Sequence, residues 1–235
     1  MENTFYTAYT MNTLLDIVAV TKIYDAGASA QGAVAALREV TLAIPEGDYC
    51  AIVGPSGAGK STLLHMMGGL DEPTHGTIFF RGSDIHAMGE RALARWRNRT
   101  IGFVFQFYHL IEELDVLENI AIAAHSMKRK SSSKRAQELL EYLGIIERRD
   151  FFPSQLSGGE KQKVAIARAL VNNPDIILCD EPTGNLDIDS QNKVMHLLET
   201  LHHDKKKALV LITHNLELAR RAHRIVRLAG GIITQ

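Results

Sequence analysis

Cysteine is scarce in this chain: the 235 residues include two, Cys50 and Cys179. Both sit in apolar runs, YCAIVG and IILCD. They read as buried thiols in strands, not as a disulfide framework, and a reducing compartment fits that usage. No apolar run approaches the about 18 residues of a membrane span. No basic segment followed by an apolar stretch opens the chain, so no signal peptide is expected. Charge of one sign is also missing. The net charge is −1, which withholds the basic field on which nucleic-acid binders rely. No Cys/His spacing suits a structural metal, and no internal repeat is visible. The one biased tract is KRKSSSKR, Lys128 to Arg135. It reads as a solvated turn entering a helix, with Ser133 as the N-cap.

What is present is an alternation. Apolar runs bounded by turn residues predict strands at 14–20, 40–44, 49–54, 77–80, 101–105, 175–180, 208–213 and 224–228. Helical periodicity marks STLLHMMGGL, ERALARWRNR, LDVLENIAIAAHSM, KRAQELLEYLG, GEKQKVAIARALVNN and SQNKVMHLLETLHHD. Strands alternating with helices predict an α/β fold with parallel strands. One stretch breaks the alternation: from about residue 106 to 173 the chain reads as helical, which predicts a helical subdomain inserted into the core. Residues 1–13 read as a loose extension, and residues 14–235 as one domain.

The strongest motif is Gly54-Pro55-Ser56-Gly57-Ala58-Gly59-Lys60-Ser61-Thr62. It matches G-x-x-x-x-G-K-[ST] and lies between a buried apolar strand and an amphipathic helix. Glycines let the backbone wrap a phosphate chain, and the helix N-terminus turns its N–H groups to the anion. Lys60 is expected at the β- and γ-phosphates, Ser61 at Mg²⁺ and Thr62 at the α-phosphate. A second strand, Ile176 to Asp180, ends in the pair Asp180-Glu181. Asp180 is placed to hold Mg²⁺, and Glu181 to orient and deprotonate the attacking water.

Leu156-Ser157-Gly158-Gly159-Glu160 decides the class. Two glycines at a helix start free backbone N–H groups for an anion, and Ser157 adds a hydroxyl. In the company of the phosphate loop and the acidic pair, this segment resembles the signature of the ATP-binding-cassette family. Other landmarks follow in order. Tyr24 matches the aromatic that stacks on adenine. Gln106 matches the glutamine after a core strand, a metal ligand and γ-phosphate reporter. Asn185-Leu186-Asp187 matches the D-loop, and His214 the switch histidine.

The resemblance runs from about residue 14 to the C-terminus. It implies a P-loop NTPase with a RecA-like core, an antiparallel β subdomain and an inserted helical subdomain. It also implies a head-to-tail dimer, with ATP between the phosphate loop of one copy and Ser157, Gly158 and Gly159 of the other. The segments Leu64 to Thr74, Phe103 to Leu110, Leu117 to Ile120 and Asp180 to Asp187 are similar to the lipoprotein-releasing and macrolide-exporter group, as is Ala169 to Pro174. Such ATPases sit on the cytoplasmic face of a bacterial inner membrane and drive a separate permease. A cell-division complex is a close variant. A soluble relative acting on DNA or ribosomes belongs to another class, and a P-loop kinase or GTPase would lack LSGGE. Three departures stand out. Glu160-Lys-Gln-Lys163 replaces a Gln and an Arg common in relatives, Asn215 stands where Asp is common, and Leu228-Ala-Gly-Gly lacks an Asp-Gly turn.

Overall fold

The computed structural model describes residues 13–24, 33–124 and 129–234. The expectations for residues 1–12 and for 125–128 lie outside them; Thr13, expected in the loose extension, begins the first strand. The chain divides into two compact units, Met1–Leu93 with Ile212–Gln235, and Ala94–Leu211.

In the first unit, β1 (Thr13–Tyr24), β2 (Val34–Pro45), β4 (His75–Phe80) and β5 (Ser83–Asp84) form an antiparallel sheet in the order β2-β1-β4-β5. β3 (Tyr49–Val53) is buried at every residue, the pattern of a strand covered on both faces. It runs parallel to β9 (Arg224–Ala229), which turns back into β10 (Ile232–Ile233). The turn uses Gly230 and Gly231 at φ 56° and 81°. Two left-handed residues match the twist of a hairpin, so Gly-Gly does the work of the missing Asp-Gly. α1 (Lys60–Met67) follows β3, and α7 (Leu216–Ala219) packs on β3 through Ala219, against Ala51 and Val53.

In the second unit, β6 (Ile101–Phe105), β7 (Ile176–Asp180) and β8 (Ala208–Ile212) follow the order β8-β7-β6. β6 and β7 are parallel, with Phe105 opposite Asp180. α2 (Glu90–Thr100) leads into β6, and α6 (Ile188–Lys205) joins β7 to β8. Between β6 and β7 every described element is helical: α3 (Val116–Ala121), α4 (Arg129–Tyr142), two short 3₁₀ turns and α5 (Gly158–Leu170). α3, α4 and α5 pack on one another, and α5 also lies on β6.

Two local expectations are corrected. β1 and β2 are each 12 residues long, reaching well past the runs at 14–20 and 40–44. The extra length mixes apolar residues with Lys22, Arg38 and Glu39, so it lacks a clean apolar run, and ladder pairing extends it. Bulges at Ala19 and Glu39, φ 49° and 48°, further break the alternation. Ser133 does not cap α4. That helix begins at Arg129, because Lys and Arg propagate a helix well and Ser132 is buried on its inner face.

Candidate functional site

The first unit carries the phosphate loop. Gly59 adopts φ 97° and starts α1 without a side-chain cap. The first N–H groups of α1 are thus left to a ligand. Two of the three loop glycines answer to neighbouring backbone. A Cβ on Gly54 would lie 2.0 Å from the Leu228 carbonyl of β9, and one on Gly59 would lie 2.3 Å from the Ala36 carbonyl of β2. Gly57, at φ 76°, faces open space. The loop is also tied by hydrogen bonds. Ala58 N–H reaches Pro55 O at 3.2 Å, and Gly231 N–H reaches Ala58 O at 3.2 Å. A clamp between β2 and the β9–β10 hairpin therefore shapes the loop before any ligand arrives.

Lys60 is buried, and its ammonium donates to the carbonyls of Gly54 and Pro55, both at 2.9 Å. Among the described residues no carboxylate pairs with it. A buried ammonium held only by neutral carbonyls carries unbalanced charge, which a phosphate would neutralise. Pro55, Ser56 and Ser61 are exposed, Thr62 is half-buried and Ala58 is buried.

Tyr24 ends β1, 42% exposed, with its hydroxyl donating to Asp71 Oδ2 at 2.8 Å. His214 follows the buried Thr213, whose N–H reaches Ile52 O of β3 at 3.3 Å. His214 is exposed and lines a cleft of about 320 Å³ with Gly54, Pro55, Leu216 and Arg227. Asn215 caps α7, its Oδ1 accepting from the N–H groups of Glu217 (2.9 Å) and Leu218 (3.4 Å). Asn and Asp cap equally well, so this departure leaves the histidine's support intact.

The second unit carries the remaining candidates. Asp180 ends β7, half-buried. Glu181 sits at φ 47°, a left-handed conformation that costs a non-glycine residue about 1–3 kcal/mol. The turn that follows closes with Gly184 N–H on Glu181 O at 3.0 Å. Gln106 and Asn185 bond reciprocally: Gln106 Nε2 to Asn185 Oδ1 at 3.3 Å, and Asn185 Nδ2 to Gln106 O at 3.2 Å. Gly184 packs so tightly on Gln106 that a Cβ would fall 2.7 Å from Nε2. The segment behind Gln106 is pinned by Arg168, which donates to the carbonyls of Tyr108 and His109.

Ser157 is the N-cap of α5 in a reciprocal box with Glu160. Its N–H and hydroxyl both donate to Glu160 Oε2, at 2.9 and 2.8 Å, and Arg148 Nε donates to Glu160 Oε1 at 2.8 Å. Arg148 first, then Ser157, hold the Glu160 carboxyl below its ordinary range. A Cβ on Gly158 would lie 3.0 Å from the Tyr108 hydroxyl and 3.2 Å from Leu186, and one on Gly159 3.3 Å from Ser190 Oγ. Asp187 caps α6 and accepts from Ser190 N (2.9 Å) and Oγ (2.6 Å). The Ser190 hydroxyl, then its N–H, hold the Asp187 carboxyl low. Signature, D-loop and Gln106 segment thus form one contact network within this unit. Lys163, the Arg→Lys departure, donates to Leu143 O at 3.1 Å, a single bond for which an ammonium suffices.

Sequence reasoning assigned no role to Asp71, Arg148, Glu160 or Arg168. For Glu160 the signal was available, since Ser-x-x-Glu is the capping-box spacing. For Arg168 nothing local announces two carbonyl partners about 60 residues away.

Among the described residues no cluster of three or more His, Cys, Asp or Glu side chains could hold a metal. Mg²⁺ does not need one. It takes one or two protein oxygens and completes its shell with water and substrate phosphate. In the first unit the exposed Ser61 hydroxyl is a hard oxygen donor of that kind; in the second unit the strand-end Asp180 carboxylate is another.

Residues 37–184 match the ABC transporter family. The chain is 47% identical over 225 residues to an ABC transporter ATP-binding protein of Thermotoga maritima, covering 95% of this chain and 94% of that one. It is 46% identical over 223 residues to LolD, the lipoprotein-releasing system ATP-binding protein of Geobacter metallireducens, covering 94% and 98%. A dimeric post-hydrolysis structure of the ATP-binding cassette MJ0796, bound to ADP and Pi, superimposes with a TM-score of 0.86 at 39% identity, covering 94% of this chain and 97% of that one. With a family match over more than half of its length and relatives of this identity and coverage, this chain belongs to the ABC transporter family and is one of its ATP-hydrolysing subunits.

Proposed function

We propose that two copies of this chain bind two ATP molecules head to tail and drive a membrane-embedded permease that releases lipoproteins from the inner membrane. The observation that carries the ATP reading is the buried Lys60 ammonium, poised at the loop mouth on two neutral carbonyls. The cargo reading rests on the 46% identity with a LolD protein. No described helix is long and apolar enough to cross a membrane. In this reading the permease is a separate chain and this subunit works at the cytoplasmic face of the membrane.

Each residue then has a task. Lys60 neutralises phosphate charge, the first N–H groups of α1 donate to phosphate oxygens, and Tyr24 stacks on the base. Ser61, Asp180 and Gln106 would hold Mg²⁺, which when bound would neutralise phosphate charge. Glu181 takes the proton of the attacking water, and His214 donates to the γ-phosphate. Ser157, Gly158 and Gly159 reach the nucleotide of the partner copy, where the Ser157 hydroxyl must swing from Glu160 to a phosphate oxygen. Asp187 acts at the same junction. Closure follows because ATP binds the paired state better than the open one.

The test is reconstitution in vesicles with the permease isolated alongside the chain. Lipoprotein leaving the vesicles only with ATP, and ATPase activity rising on addition of the permease, are the expected results. ATP-driven movement of a macrolide or peptide with no lipoprotein release would overturn the cargo reading.

A further inference from the structure

We propose that Asp71 is a positioning residue that sets Tyr24 for the nucleobase of the bound nucleoside triphosphate. This deepens the stacking role proposed above for Tyr24 and rests on it.

The geometry starts at β1. Lys22 and Tyr24 are two residues apart on a strand and so share a face. Both reach the same carboxylate. Tyr24 OH donates to Asp71 Oδ2 at 2.8 Å and Lys22 Nζ donates to Asp71 Oδ1 at 2.6 Å. Lys22 Nζ also reaches Glu72 O at 2.8 Å and stands over the Tyr24 ring, 5.0 Å from its centroid. Oδ1 further accepts the Glu72 N–H at 2.7 Å, which fixes the carboxylate plane. The segment is tied to β1 a second time, by Thr74 N–H on Thr21 O (2.8 Å) and Ile23 N–H on Thr74 Oγ1 (3.0 Å).

Tyr24 is therefore an exposed ring held at two points. Its hydroxyl end is anchored and one face carries an ammonium. Among the described residues no second cation or ring stacks on Tyr24, and the residue is 42% exposed, which suits a flat ligand. Ordering an exposed side chain without a partner is unfavourable. It becomes useful when a ligand would otherwise meet that ordering penalty on binding.

Asp71 also stands in the right place for a triphosphate. It follows α1, the helix whose first residue is Lys60, and α1 ends by bonding Leu70 N–H to His65 O at 2.9 Å. Eight residues of helix span about 12 Å. One short rigid element thus carries the phosphate lysine at its start and leads into the anchor of the base-side tyrosine. Burial and the Asp71 carboxylate push the Tyr24 phenol up, so it stays a donor. Burial opposes ionisation of Asp71, but the bonds from Lys22, Tyr24 and the Glu72 N–H outweigh it and hold the carboxyl low.

The experiment measures the dissociation constants of ATP and of inorganic tripolyphosphate, which has no base, on the full chain. The variants are Tyr24→Ala, Tyr24→Phe, Asp71→Ala and the Tyr24→Phe/Asp71→Ala pair. Tyr24→Ala is expected to weaken ATP and spare tripolyphosphate. Tyr24→Phe and Asp71→Ala are each expected to weaken ATP about fivefold, the equivalent of one hydrogen bond, again sparing tripolyphosphate. The pair is expected to be no worse than Asp71→Ala alone. If Tyr24→Ala weakens ATP while Tyr24→Phe and Asp71→Ala bind it normally, the Asp71 role is overturned and stacking stands. Unchanged ATP binding in Tyr24→Ala overturns both. Equal loss of ATP and tripolyphosphate in Asp71→Ala marks a merely structural residue and also overturns the proposal. Tyr24→Phe removes one exposed hydroxyl and keeps the ring, so it stands as a test even if Asp71→Ala misfolds.

Discussion

Gly57 and Gly59 share a loop and a left-handed conformation, yet alanine at the two positions should fail in different ways. At Gly59 the new Cβ would lie 2.3 Å from Ala36 O and 3.0 Å from Leu37 Cδ2, with φ at 97°. Backbone on a paired strand cannot step aside. Left-handed strain of about 1–2 kcal/mol adds to an overpacking term of about 1–3 kcal/mol. The sum, about 2–5 kcal/mol, is a large share of a typical domain's stability. At Gly57 nothing lies within 4 Å, so only the strain remains, but the methyl group intrudes where a phosphate chain would pass. Urea unfolding and ATP titration separate the two. Gly59→Ala should lower the denaturation midpoint strongly. Gly57→Ala should hold most of its stability while losing ATP affinity about tenfold or more, the equivalent of about 1.4 kcal/mol. A normal midpoint for Gly59→Ala would refute the clamp between β2 and the β9–β10 hairpin. Normal ATP affinity in Gly57→Ala would refute the use of that open space by phosphate.

The Glu160 carboxyl is held low by Arg148 and Ser157. Its contribution is present above the unfolded carboxyl value of about 4.3 and fades as pH falls through the lower folded value. Because the pair is partly exposed, that contribution is about 1 kcal/mol or less. Arg148→Ala should therefore destabilise at pH 7 and progressively less below about pH 4, read from unfolding midpoints across pH; an equal deficit at pH 3 would contradict it. Burial pushes the Cys50 thiol up to about 12 and raises Cys179 as well. Both thiols should resist a thiol reagent at pH 8 in the native protein and react at once in denaturant, and rapid native labelling would sink this expectation.

The phosphate loop, the acidic pair and the signature were legible because each is a short run whose chemistry is local. Strand β3 announced itself by five consecutive apolar or aromatic residues, and the helical stretch between β6 and β7 by lost alternation. The second halves of β1 and β2 were not legible, since TKIY and VAALRE carry charge without a clean alternation and are held by long-range partners, β1 with β2 and the 71–74 segment with β1. The Gln106–Asn185 bond joins residues 79 apart, a contact that no spacing rule reveals. Lys22 and Tyr24 lie beyond the strand expected at 14–20, and the carboxylate that fixes them comes from beyond α1. The left-handed backbone at Glu181 is equally silent in the sequence. Glutamate before proline gives no hint of φ 47°, and that backbone sets the direction in which the carboxylate leaves β7.

The central claim is that ATP is bound by two copies of the chain and hydrolysed with Glu181 as base. The direct measurement is the solution mass of Glu181→Gln with saturating ATP and Mg²⁺, taken together with its nucleotide content and turnover. The account expects twice the 26.0 kDa chain mass, two ATP per dimer and no phosphate release. A monomer under those conditions, or undiminished hydrolysis, would contradict it.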